Sequence, residues 1–190
     1  TILWYSLIPL IGGMLFAYFF LYLEKIFARV ETWALPALLK ATLWGIVLSV
    51  LTLVTDYALF SGEFHIVPFS KTALSYSPLF LLLIALIKTI STHVGFAMGW
   101  RGGKIFPAIF AIVAVGAAIA QFIPIQPAIT VSLAVVASIT IILEKPLLTA
   151  ILLIFLLPIS LAPLIFITAY IVMLIHKFLL KKIGLKSLIY

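Results

Sequence analysis

Apolar residues fill this chain in long runs, separated by short polar, glycine or proline breaks. Residues 2–23 are apolar and aromatic, with Gly12-Gly13 inside, and predict a first span ending at Glu24-Lys25-Ile26-Phe27-Ala28-Arg29. Pro36 breaks the connection that follows. Residues 41–60 predict a second span, broken near Thr55-Asp56. Then comes a polar connector, Ser61-Gly62-Glu63-Phe64-His65, with Pro68 and Lys71 beyond it. Residues 78–98 predict a third span and residues 105–123 a helix rich in alanine, which Gln121, Pro124, Gln126 and Pro127 end. Residues 128–143 read as a partial or tilted crossing. After the break at Glu144-Lys145-Pro146, residues 147–157 form another short piece, stopped by Pro158 and Pro163, and residues 164–180 a last span.

These runs are apolar on every face. A membrane barrel would instead alternate polar and apolar positions in segments of roughly 10 residues. No charged side chain occurs in residues 105–143 or 146–175, and each stretch exceeds the roughly 20 residues that cross a hydrocarbon core. The predicted fold class is therefore all-α and integral to the membrane: a polytopic bundle of tilted and broken helices. Composition agrees, with 66% hydrophobic and 9% charged residues and a mean hydropathy of +1.38. No soluble surface can be built from so few charges.

The net charge of +7 does not point to nucleic acid, because the cations stand at span ends and gather at the C-terminus. Such placement follows the positive-inside rule. It puts the loop from Glu24 to Lys40 and the end at His176-Lys177, Lys181-Lys182 and Lys186 on the cytoplasmic side. The chain has no cysteine, which excludes disulfides and thiolate metal sites. It opens Thr1-Ile2-Leu3-Trp4 and reads as the middle of a longer protein. Asp56 is an interfacial residue or cap, or else an acid in a transport path. Lys88 falls mid-span, so it faces a cavity or partner, snorkels, or marks a helix offset toward an interface. His93 bonds a neighbouring helix or shuttles protons. Gly95 and Gly99 form a G-x-x-x-G that either brings helices together or leads into the glycine segment.

That segment, Gly99-Trp100-Arg101-Gly102-Gly103-Lys104-Ile105-Phe106-Pro107, is where glycines, cations and a proline crowd together. Glycine permits positive φ and close approach of a ligand to the backbone, and proline suits the first turn of a helix. An irregular stretch opening a helix exposes unpaired N–H groups at the positive end of a dipole, which is an anion site in outline. A phosphate-binding loop is excluded: Met98 stands where its first glycine belongs, and Ile105 follows the lysine. No acid pair, ligand cluster or Ser/His/Asp set is visible among five acids, so an enzyme, a metal site and a cofactor are not expected. Short, proline-interrupted helices suit a transporter binding site.

Gly102-Gly103-Lys104-Ile105-Phe106-Pro107, followed by Ala108-Ile109-Phe110 and Gly116-Ala117-Ala118, resembles the second-half signature of the CLC family of chloride channels and chloride–proton antiporters. Lys145-Pro146-Leu147-Leu148-Thr149-Ala150-Ile151 resembles that family's R-x-P-L-T-A/G-I, in the right order and at a fitting distance. The resemblance is sharpest over about 95–155. It implies that residues 1–190 form the C-terminal half of a longer membrane domain and pair with a missing N-terminal half. It also implies a homodimer in the cell membrane. An anion of the chloride type would be held by the amides at Lys104, Ile105 and Phe106, with Gly103 permitting approach and Pro107 starting the helix. Arg101 and Tyr190 would line the pore or vestibule, Tyr190 as the tyrosine of the last helix. Arg101 stands where the family has a proline, and Lys104 where it has an apolar or small residue. The family's acid after P-L-T is replaced by Phe155 and Leu156, and its gating glutamate belongs to the first half. Channel or antiporter is the expected function. A membrane scaffold and a transporter of another solute are the alternatives.

Overall fold

The computed structural model describes residues 2–32, 34–58, 62 and 64–183. Among them are eight α-helices and no strand: α1 (Ile2–Glu31), α2 (Ala37–Thr52), α3 (Ile66–Thr72), α4 (Pro78–Ala97), α5 (Ile105–Ala120), α6 (Pro127–Leu143), α7 (Pro146–Ile154) and α8 (Ala162–Ile183). Single 3-10 turns lie at Asp56–Ala58, Ala73–Ser75 and Ile159–Leu161. Proline sets many of the boundaries. Pro36 precedes α2, and Pro78, Pro127 and Pro146 open α4, α6 and α7, where the missing N–H costs nothing. The Ser77 hydroxyl caps α4 by accepting from the Phe80 amide.

The all-α reading holds, and three helices are long and apolar enough to cross a membrane: Trp4–Arg29, Pro78–Ala97 and Ile159–Lys182. The boundaries differ in instructive places. The first helix runs straight through Glu24–Arg29 to Glu31, because glutamate, lysine and arginine are good helix formers and nothing there breaks the chain. Lys40, expected in a loop, belongs to the start of α2. That helix stops at Thr52, shortly before the break expected near Thr55-Asp56. Pro68 and Lys71, expected in a connector, lie within the short α3.

The centre of the bundle is α6. Every residue from Ser132 to Ile142 is buried, because α1, α5, α7 and α8 all pack around it. Close approach depends on glycine. A Cβ at Gly13 of α1 would strike the backbone carbonyl of Ala134, and one at Gly116 of α5 would come 3.0 Å from Val131 Cα. The alanine-rich face foreseen for α5 is buried against these neighbours, as small-residue helix packing requires. The outside is apolar too. Trp4, Ile8, Ile11, Leu15, Phe19, Tyr22 and Ile26 make one exposed stripe along α1, a surface suited to lipid or another apolar protein face.

Lys88 is 1% exposed and sits inside the bundle. Its ammonium donates to the Tyr57 carbonyl at 2.9 Å and lies 5.5 Å from the centre of the Phe110 ring. Gly62, at φ +84°, leaves room for it: a Cβ there would stand 3.3 Å from Lys88 Cε. The lysine thus faces a protein partner, tying the 3-10 turn at Asp56–Ala58 to α4 and α5, and the offset, interfacial reading is set aside. Gly95 and Gly99 do not form a paired helix contact. Gly95 packs on Trp44 of α2, whereas Gly99 has φ +94° and ends α4.

Gly13→Ala should destabilise the full-length protein by about 1–3 kcal/mol, since its methyl group meets backbone that cannot move aside. Gly45→Ala, with no atom within 4 Å of the new Cβ, should be neutral or slightly stabilising. Thermal unfolding of the two variants in detergent checks the contrast.

Candidate functional site

The glycine-rich loop begins where α4 closes in a Schellman motif. The Trp100 amide bonds the Gly95 carbonyl at 3.0 Å and the Gly99 amide bonds the Phe96 carbonyl at 3.0 Å, with Gly99 in the left-handed conformation the motif demands. Positive φ is therefore used at Gly99 and not at Gly102 or Gly103. The last two glycines serve differently: nothing lies within 4 Å of a Cβ built on Gly103, so open space stands in front of its backbone.

Helix α5 starts at Ile105 with Lys104 at its N-cap and no side chain capping it. Pro107 is its third residue rather than its first, and it removes one donor from the exposed first turn. The Ala108 amide already bonds the Lys104 carbonyl at 3.1 Å. The donors left over at the helix start are the amides of Lys104, Ile105 and Phe106. Residues 105–120 rise about 24 Å, short of the ~30 Å hydrocarbon core. Lys104 meets Glu24, seven residues before the end of α1, so the loop lies about 10 Å inward from that end.

Gly103, Phe106, Pro107 and Arg101 line one cavity of about 580 Å³, with α2 and α4 forming its other walls. Ser91 and Thr92 of α4 also line it, but both hydroxyls donate to the Lys88 carbonyl, at 3.0 and 2.8 Å. The Lys104 side chain turns away. Its ammonium bonds both carboxylate oxygens of Glu24, at 2.7 and 2.8 Å, and lines a second cavity of about 410 Å³ with Glu144. A third cavity, about 330 Å³, has Glu24, His93 and Arg101 on its walls. His93 is 3% exposed. Its Nδ1 bonds the Thr89 carbonyl at 2.7 Å, while Nε2 has no partner among the described residues. The ring stands edge-on to Phe20 of α1 at 4.3 Å, so it packs against a neighbouring helix and bonds its own.

The structure brings Arg101, Gly103, Phe106 and Pro107 to one cavity and sends the Lys104 side chain elsewhere. Tyr190 lies outside the described residues. The partner that sequence reasoning missed is Glu24, eighty residues from Lys104 in the chain. Its signal was an acid in an otherwise basic helix end, which alone does not name a counter-ion.

The family described as "Voltage gated chloride channel" matches residues 1–177. The chain belongs to this family. Over 67 residues it is 46% identical to "Putative ion-transport protein YfeO" of Escherichia coli (strain K12 / DH10B), and equally so to the protein of that name in Shigella boydii serotype 18 (strain CDC 3083-94 / BS512). The matched stretch covers 35% of this chain and 16% of each relative. No solved structure matches. A voltage gated chloride channel family member with this helix pattern is a multi-pass protein of the cell membrane.

The side chains of Lys104 and Glu24 are 34% and 41% exposed, so solvent weakens their attraction. A double-mutant cycle with Lys104→Met and Glu24→Gln should give a coupling below about 1 kcal/mol, falling further in high salt.

Proposed function

We propose that the full-length protein moves an anion of the chloride type across the membrane, as a channel or as an anion–proton exchanger. In this reading the chain supplies the C-terminal half of the pathway in each subunit of a homodimer. The observation that carries it is the uncapped start of α5: three amides with no intrahelical partner, beside a cavity where Gly103 places no side chain. A halide must shed part of its water, and the site must replace that water without holding the ion fast. Backbone N–H groups at a helix start offer partial charges suited to this.

The Glu24–Lys104 pair refines the picture. A bare lysine at the mouth of such a site would hold an anion strongly. Paired with Glu24, Lys104 contributes its amide while much of its charge is cancelled. Arg101, which has no ion pair among the described residues, is the cation positioned to draw anions toward the cavity.

Anion efflux from liposomes containing the full-length protein, with chloride, fluoride and nitrate in turn, tests the proposal. Gly103→Leu should keep the fold, since its side chain enters open space, yet abolish efflux by covering the amides. Accompanying proton movement marks an exchanger. A wild-type protein that moves no anion sinks the reading and favours a scaffold role. Glu24→Gln frees the Lys104 charge and should lower the chloride concentration for half-maximal flux while slowing the maximal rate.

A further inference from the structure

A cavity of about 210 Å³ opens between α3, α5, α6 and α7, and no residue of the glycine-rich loop lines it. Its floor is Ile109 and Val113 of α5, Val135 of α6 and Leu153 of α7, all buried. Ser70, Leu74, Pro127 and Pro158 stand exposed at its mouth. Among the described residues no charged side chain lines it, and its polar side chains are Ser70 and Ser132. The Ser70 hydroxyl is used: it donates to the Val67 carbonyl at 2.9 Å. Ser132 is 1% exposed, and its Oγ has no hydrogen-bond partner among the described residues. A buried hydroxyl in a helix can bond the carbonyl one turn back, as Thr89 and Thr92 of α4 do, each at 2.8 Å. Ser132 makes no such bond to Ala128. Of the orphaned hydroxyls on α6, it is the one on the wall of this cavity.

An unmade bond at a buried hydroxyl is costly, so the occupant should supply one. Water suits the place badly, because a buried water wants roughly two to four polar partners. Pro127 and Pro158 bring no N–H, and the amides of Leu156 and Leu157 are taken by the Leu153 carbonyl, at 3.1 and 2.8 Å. A lipid acyl chain has no group for Ser132. A charged ligand would lose its water and meet no counter-charge. What fits is one hydroxyl on a compact apolar body. An apolar cavity of about 150 Å³ takes benzene, so one of about 210 Å³ has room for a phenol or an alcohol of about six carbons.

We propose that this cavity binds a small, uncharged, membrane-soluble phenol or alcohol. The ligand's hydroxyl pairs with Ser132 Oγ, which can donate or accept, and its apolar body rests on Val113, Val135 and Leu153. Ser132 is the sixth residue of α6, and Glu144 lies about 18 Å further along that helix, so the site is at the end of the bundle away from Glu24 and Lys104. Exposed apolar side chains flank the mouth, Leu74 on the rim and Phe155 and Ile159 beside Leu156–Pro158. A ligand dissolved in the bilayer enters there. The site does not depend on the anion-transport reading.

The probe is 1-hexanol carrying a diazirine, photolysed with the full-length protein in lipid bilayers, with labelled residues found by mass spectrometry. Label should fall on the cavity faces of α5, α6 and α7 and saturate. An excess of 4-fluorophenol should displace it, and fluorobenzene, which lacks the hydroxyl, should do so several-fold less well. Ser132→Ala removes an orphaned hydroxyl, so it should fold at least as well as the wild type, yet need several-fold more probe for half-saturation. Val135→Phe should fill the cavity and abolish the label; should it fail to insert, Ser132→Ala decides alone. Label that never saturates and spreads over exposed residues such as Leu79 and Ile167 overturns the proposal. So does an unlabelled cavity, which the rest of the full-length chain then fills. Saturable label that Ser132→Ala leaves unchanged also overturns it, because Ser132 then recognises nothing.

Discussion

Backbone polar groups cannot go unpaired in hydrocarbon, and this requirement governs the molecule more than any side-chain contact. Helices meet it internally along most of the chain. The loop between α4 and α5 breaks the pattern at the level of Glu24, inward from the end of α1. The Schellman bonds take the amides of Gly99 and Trp100, Ala108 takes the Lys104 carbonyl, and among the described residues no backbone bond takes the amides of Arg101, Gly102 and Gly103; Pro107 has no amide to place. The amides of Lys104, Ile105 and Phe106 stand at the helix start without intrahelical partners. An irregular backbone at this depth is tolerated where it lines a cavity, and that is where it lies.

Electrostatics around the loop follow from the bundle's geometry. Gly13 against Ala134 and Leu21 beside Ile142 show α1 running parallel to α6, and Gly12 against Ile119 and Glu24 against Lys104 show it running opposite to α5, while Tyr18 meets His176 of α8. One end of the bundle therefore collects Lys25, Lys104, Lys145 and Lys177 together with the acids Glu24 and Glu144. The acids are few and each lies beside a specific partner: Glu24 on Lys104, Glu144 on His176. Among these the cations outnumber the acids.

Family membership and local geometry support each other without being the same statement. The match over residues 1–177 speaks to ancestry and architecture. The helix start, the cavity in front of Gly103 and the Glu24–Lys104 pair speak to what this particular loop can hold. Two departures from the family pattern read differently in three dimensions. Arg101 stays at the cavity shared by the glycine loop, whereas Lys104 is drawn off to α1 and acts as half of an ion pair.

The sequence by itself determined the membrane class, the helical fold, the breaks at Pro36, Pro127 and Pro146, and the loop at residues 99–107. Each of these is a local consequence of composition or of residues that cannot continue a helix. It also carried the family resemblance, because glycine and proline spacing survives as a linear pattern. Only the tertiary structure decided which residues meet. Lys88 chose the Tyr57 carbonyl over an interface, His176 left the basic end for the interior, and Lys104 found an acid eighty residues away. A side chain's partner depends on which helices lie side by side. That arrangement is set by close contacts such as Gly13 on Ala134, between residues whose identity names no partner.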